Sequence, residues 1–166
     1  MKILTIVRHA KSSWKDASLT DRKRPLNGRG ERDAPEMGKR IHEHGIRPSL
    51  IVSSPATRAW TTAQIIAQAI NYPREFLQKE DSLYLASADD ILDVIIAQDN
   101  GFNNLMVVGH NPGLTEIANF FVPGLNNNLQ TAGVVSVQID QNNWSLYDRP
   151  ATELLVHDWP KKKPTH

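Results

Sequence analysis

The sequence predicts an α/β fold: a three-layer sandwich with a mainly parallel central sheet and helices on both faces. Three observations carry that expectation. Short β-branched runs alternate with longer stretches of helical periodicity. The runs are continuously apolar, as strands buried on both faces are. No internal repeat, linker or low-complexity segment interrupts the alternation.

Taken in order, residues 3–7 read as the first buried strand, followed by a polar, turn-rich stretch to about Asn27. Ala34, Met37 and Ile41 then recur at helical spacing, and Gly45 ends that helix. Residues 50–53 form a second short strand. Ser54 is placed to cap the next helix with Pro55 in its first turn, and Ala59, Ala63, Ile66, Ala67 and Ile70 mark its apolar face. Asp89 or Asp90 opens a third helix carrying Ile91, Leu92, Ile95 and Ile96. Residues 105–108 are another buried strand. After it Asn111 is expected to cap, and Pro112 to open, a helix with Leu114, Ile117, Ala118 and Phe121 inward. The last third predicts a hairpin, with residues 134–139 and 145–147 flanking a turn at 140–143, and a final strand at 154–156. One domain over residues 1–160 is expected, followed by a short basic tail at 161–166.

Composition narrows the chemistry. Hydrophobic residues at 40% and charged residues at 22% are ordinary for a globular chain. A net charge of +1 gives no general attraction to nucleic acid or to an anionic membrane, so neither is expected as a partner. The absence of cysteine excludes disulfides, thiolate nucleophiles and cysteine–zinc sites. The first apolar run is too short for a signal peptide and no stretch approaches the length of a membrane span, so a soluble cytoplasmic protein is expected.

In doubly wound folds ligands bind beyond the carboxyl ends of the strands, and four motifs lie there or nearby. The first strand ends in Arg8-His9-Ala10. The second leads into Ser53-Ser54-Pro55-Ala56-Thr57-Arg58, which puts Arg58 in a first helical turn, where a cation opposes the helix dipole unless an anion binds there. The third strand ends in Val108-Gly109-His110-Asn111-Pro112-Gly113, and Arg24-Pro25-Leu26 heads a rigid turn. Each motif alone also fits a solvated loop or a structural hydrogen bond. Together they suit phosphoryl transfer. Arginine forks match phosphoryl oxygens, a neutral imidazole can attack phosphorus, and a second imidazole, protonated by anionic neighbours, can stabilise the equatorial oxygens. That chemistry calls for no metal and no cofactor.

Arg8-His9-Ala10 resembles the Arg-His-Gly/Ala signature of the histidine phosphatase superfamily, which includes the cofactor-dependent phosphoglycerate mutases. Within it, residues 8–14, Arg24-Pro25-Leu26, residues 53–59 and residues 108–113 are similar to the SixA-type phosphohistidine phosphatases, over a stretch from Met1 to about Phe121. The resemblance implies a phosphoglycerate-mutase-like sandwich, His9 as nucleophile, Arg8, Arg58 and His110 as the phosphate pocket, and Arg24 as a further phosphate contact. Larger branches carry a glutamate general acid between the Arg58 and His110 motifs. Here Glu80 and Asp81 are the candidates, although the glycine-containing turn is absent and a solvated acidic loop is the better explanation of them. Fifty-two positions separate Arg58 from His110, which leaves little room for a lid. An open pocket without a strong acid suits a good leaving group such as imidazole. The expected partner is therefore a protein bearing phosphohistidine. The alternatives are a phosphatase of small phosphomonoesters and a catalytically inactive phosphate-binding module.

Other signals lead nowhere. In His42-Glu43-His44 the two histidines point to nearly opposite sides of a helix, Asp33 replaces the third glycine of a dinucleotide pattern begun at Gly28, and Arg40 follows Gly38-Lys39 where a P-loop needs serine or threonine. His157 reads as structural. Trp14 follows the first motif closely enough to border the pocket or to pack beside it.

Overall fold

The computed structural model describes residues 1–163, so residues 164–166 of the expected basic tail lie outside the described residues. Along the chain come β1 (Lys2–Arg8), α1 (Gly28–Glu43), β2 (Leu50–Ser53), α2 (Thr57–Ala69), β3 (Gln78–Lys79), α3 (Ala88–Ile96), β4 (Asn104–Gly109), α4 (Gly113–Phe121), β5 (Val134–Ile139) and β6 (Thr152–Asp158). They build one six-stranded sheet in the order β3-β2-β4-β1-β5-β6. The first four of these are mutually parallel, while at one side β5 pairs antiparallel with β1 and β6 antiparallel with β5.

Strand periodicity divides the interior into two apolar layers, because successive side chains point to opposite faces. Leu4, Ile6, Leu50, Val52, Leu105 and Val107 meet the apolar sides of α3 and α4. Val7, Ile51, Met106, Val108 and Val134 meet those of α1 and α2. This is the three-layer sandwich the alternation predicts. Between them, β1 is fully flanked, with Thr5 sharing a buried hydroxyl hydrogen bond of 3.0 Å with Ser136 on β5.

The chain departs from the sequence reading in the last third. The partner of β5 is β6, with Ile139 opposite Thr152 and a bulge between Ser136 and Val137, and residues 145–147 form no strand. Trp144 and Leu146 alternate as strand residues do, but their fully buried side chains close one end of the α3/α4 layer. Gln141 Nε2 folds the connection by donating to the backbone carbonyls of Asn143 and Ser145. Trp144 Nε1 and the buried Lys2 Nζ both donate to the Phe102 carbonyl, each at 2.9 Å.

Three helix starts also move, and α3 begins at Ala88 with Ser87 as its cap rather than at Asp89 or Asp90. Ser54 does not cap α2, which begins at Thr57, and Asn111 lies one residue before the Pro112 that precedes α4, although its Oδ1 still accepts from Thr115 N at 3.1 Å. Asn27 caps α1 by accepting from Gly30 N at 2.8 Å. The loop after β1 lies against the turn before α1: Asn27 N donates to Lys11 O, Ser13 N donates to Pro25 O, and Ser12 bridges Leu26.

Gly30 permits that approach, since a Cβ there would stand 2.1 Å from the Lys11 carbonyl oxygen. We predict that Gly30→Ala destabilises the fold by about 2 kcal/mol or more through overpacking. Gly28→Ala, where the nearest atom is the flexible Arg32 Nη1 at 3.5 Å, should be close to neutral. Urea midpoints compare the two, and equal midpoints would refute the close-contact argument.

Candidate active site

Strand register gathers the motifs. Arg8 is opposite Gly109 and Ser53 opposite Val108, while His9 N donates to Gly109 O at 3.1 Å and Ser54 N to Val108 O at 2.9 Å. The carboxyl ends of β1, β2 and β4 therefore finish at one level. Beyond them lies a cavity of about 360 Å³ lined by Arg8, His9, Arg24, Arg58 and His110, with Ser12, Trp14 and Leu85 at its sides.

His9 is only 8% exposed, and its Nδ1 lies 2.7 Å from the Ala10 carbonyl. A carbonyl oxygen only accepts, so Nδ1 carries the proton and the Nε2 lone pair is left free. Thr62 fixes the same loop to α2: its hydroxyl accepts from Ala10 N at 3.0 Å and donates to Arg58 O at 2.7 Å. Burial is the main cause holding the His9 pKa down to about 4, against the opposing Ala10 hydrogen bond and with help from Arg58, Arg8 and Arg24.

Three guanidinium groups converge on the cavity, and each is braced. Arg8 Nη1 donates to Leu129 O at 3.0 Å, a carbonyl that also accepts from Asn111 Nδ2 at 3.0 Å. Arg58 gives Nη1 to the Asp21 backbone carbonyl at 2.7 Å and Nη2 to the Asp21 carboxylate at 3.0 Å. Arg24 gives Nη1 to the other oxygen of Asp21 at 2.9 Å, Nε to Ser13 O at 3.0 Å, and Nη2 to Ser12 Oγ. Tyr84 donates its hydroxyl to Asp21 as well. That hydrogen bond is the largest cause of the Asp21 pKa lying at about 2, with Arg24 and Arg58 adding to it and burial opposing. Asp21 was not singled out in the sequence. The available signal was an acid at the head of Asp21-Arg22-Lys23-Arg24, since buried cations need a counter-charge.

His110 faces His9 with ring centroids 5.2 Å apart, and Tyr84 meets its edge at 5.6 Å. Its Nε2 lies 2.7 Å from Ser54 Oγ, the hydroxyl expected to cap α2. Its buried Nδ1 has no hydrogen-bond partner among the described residues. The sequence reading gave this ring a proton from anionic neighbours. Burial instead dominates, aided by His9, Arg58 and Arg8 against a smaller opposing effect of Asp21, and the pKa falls to about 3. Burial and the neighbouring cations thus favour the neutral form of His110, while a phosphoryl dianion beside the ring would oppose that shift.

Glu80 and Asp81 are not brought to this cavity. The Glu80 carboxylate turns back to accept from Ser82 N and Oγ, and faces a separate depression with Asp90 and Asp93. Asp81 is 85% exposed at its side chain and pairs with Arg22 at 3.1 Å. His44 pairs with Asp158 at 2.9 Å, and His157 packs on Trp159. Among the described residues no group of three or more His, Asp, Glu or Cys side chains is placed to hold a metal ion.

Comparison with known proteins agrees with this geometry. The family described as histidine phosphatase superfamily, branch 1, matches residues 4–81. A chloroplastic protein of Arabidopsis thaliana, whose name states no activity, is 34% identical over 149 residues, covering 85% of this chain and 68% of its own. A crystal structure from Agrobacterium tumefaciens, named as a candidate phosphohistidine phosphatase SixA, superposes with a TM-score of 0.82 at 25% identity, over 96% of this chain and 98% of that one. The protein histidine phosphatase SixA complexed with tungstate shares the fold, with a TM-score of 0.78 at 20% identity over 95% and 97% of the two chains.

The two depressed imidazoles carry a stability prediction. Unfolded histidine titrates near roughly 6.5, so between that pH and the folded values of about 4 and about 3 the unfolded state binds more protons. Stability should fall as pH drops from about 6.5 toward 4, and His9→Asn or His110→Asn should flatten that slope. Urea midpoints across the range test this, and unchanged slopes in both variants would refute it.

Proposed function

Because this chain belongs to the histidine phosphatase superfamily, we propose that it is a phosphatase in which His9 Nε2 accepts the phosphoryl group, and that its substrate is phosphohistidine in a protein. The single observation that carries the reading is the Nδ1 contact of His9 with the Ala10 carbonyl, which leaves a lone pair on Nε2 beside three braced guanidinium groups. The phosphohistidine preference draws support from the similarity to the SixA structures and from the absence of Glu80 and Asp81 from the cavity's lining.

In the proposed first step the Nε2–phosphorus bond forms as the bond from phosphorus to the substrate's imidazole nitrogen breaks. That ring leaves with a proton from solvent. Water then attacks phosphorus, the Nε2–phosphorus bond breaks, and inorganic phosphate is released with the attacking water's proton passing to solvent. Arg8, Arg24 and Arg58 hold the phosphoryl oxygens, and His110 contributes a polar ring beside them. The low His9 pKa keeps the attacking form populated through the neutral range. An alkoxide leaving group would need a proton donor, and neither Glu80 nor Asp81 lines the cavity, so small alkyl phosphates are the weaker alternative. A binding module without catalysis would have no use for a tautomer-fixed imidazole.

Three results are expected. His9→Ala should abolish turnover and the trapping of acid-labile phosphate while the fold persists; label found on another residue would falsify the nucleophile assignment. Arg58→Ala should reduce kcat/KM by about 100-fold or more, as loss of a transition-state donor does, and near-normal rates would remove it from the site. Glu80→Gln and Asp81→Asn together should leave phosphohistidine hydrolysis within about twofold of wild type, in line with surface charges remote from the reacting atoms. A large loss in that double variant would instead favour the small-phosphomonoester reading.

A further inference from the structure

Trp14 is the most exposed large apolar residue among those described, at 77%, and Leu85 is exposed at 57%; both line the cavity that holds His9. Neither is loosely placed. The Arg24 guanidinium carbon lies 3.2 Å from the centre of the Trp14 ring. The neighbouring Ser13 is fixed on both sides, its N donating to Pro25 O and its O accepting from Arg24 Nε. Leu85 has a φ of 48°, a left-handed backbone that L side chains rarely adopt. It lies between Tyr84, tied to Asp21, and the buried Ala86, whose carbonyl packs against Gly113. The strained backbone thus presents an aliphatic side chain at the cavity's edge, where burial would ordinarily be favoured.

Scattered exposed apolar residues need no explanation, but two rigidly held ones on the lip of a cation-lined cavity do. The cations serve the phosphoryl oxygens. The lip faces whatever carries the phosphoryl group. One face of the Trp14 ring is taken by Arg24, and the ring's remaining exposed surface is flat, apolar and pre-positioned. Such a surface suits another planar ring by stacking.

Resting on the phosphatase reading above, we propose that Trp14 and Leu85 form a ring-binding rim that selects substrates whose phosphoryl group is attached to a planar unsaturated ring, over open-chain alkyl phosphates. Two sources supply such a ring: the imidazole of phosphohistidine and the phenol of an aryl phosphate such as phosphotyrosine. The rim favours both, and the leaving-group chemistry decides between them.

The test uses non-hydrolysable probes on the full chain. Phenylphosphonate should bind about tenfold tighter than methylphosphonate, the scale of one aromatic stacking contact. Trp14→Ala and Leu85→Ala should each reduce that ratio toward one by weakening phenylphosphonate more than methylphosphonate, and Trp14→Phe should keep it. A ratio near one in the wild type would overturn the proposal. So would an equal loss of both probes in Trp14→Ala with no effect of Leu85→Ala, because Trp14 would then be only a brace for Arg24. Turnover of a phosphohistidine-bearing protein against a phosphotyrosine peptide then assigns the natural ring. Binding needs no turnover, so the two readings fail separately. A ring preference in an inactive chain sinks the phosphatase reading alone, and an active chain without the preference sinks the rim alone.

Discussion

Arg24 and Arg58 are both nearly buried and carry like charges toward one cavity, an arrangement that repels itself unless a counter-charge is built in. Asp21 supplies it. One carboxylate oxygen takes Arg24, the other takes Arg58, and the backbone carbonyl of the same residue takes Arg58 again. Much of the site's geometry follows from that bridge. The guanidinium groups hold a fixed orientation with donors to spare, since each carries five N–H groups and only some are engaged. Because part of the Asp21 carboxylate is exposed, its compensation is incomplete, and the remaining positive field adds to burial, the larger cause, in favouring the neutral form of both imidazoles.

The sheet supplies the other half of the constraint. Inserting β4 between β1 and β2 brings three parallel strand ends side by side, and each ends in a residue pair the site uses: Arg8-His9, Ser53-Ser54 and Gly109-His110. Hydrogen bonds that continue the ladder past the strands, from His9 N to Gly109 O and from Ser54 N to Val108 O, fix the backbone of the site as firmly as that of the core. Function-bearing side chains are thereby carried on strand ends rather than on free loops, the arrangement that gives the tightest positioning.

Much of this was legible in the sequence, for a definable reason. Buried parallel strands are continuous apolar runs, so the abrupt appearance of Arg8-His9 or His110 after one is a local signal that needs no tertiary knowledge. Arg8, His9, Arg24, Arg58 and His110 accordingly come together in one cavity. Asp21 was legible only in part: Arg24 lies three positions on, but its other partners Arg58 and Tyr84 lie 37 and 63 positions away and only folding joins them. Ser54 has an ideal capping position by local rules, yet its hydroxyl is drawn to His110, a tertiary contact overriding a local preference. The spacing of Trp144 and Leu146 fits a strand as well as it fits a buried plug. Periodicity alone cannot separate those when the run is this short.

The antiparallel side of the sheet has a consequence for how the molecule keeps company with its own copies. Among the described residues β6 pairs on one side only, with β5, and it carries Leu154 and Leu155 partly exposed. A strand edge of this kind offers unsatisfied amides and carbonyls to any extended chain that meets it. The register shift at Ser136–Val137 distorts the adjoining ladder, while Arg40 on α1 clamps the chain just past the strand through Asp158 and the carbonyls of Trp159, Pro160 and Lys162. Arg40, which takes no part in lining the His9 cavity, thus fixes the chain where it leaves this edge strand.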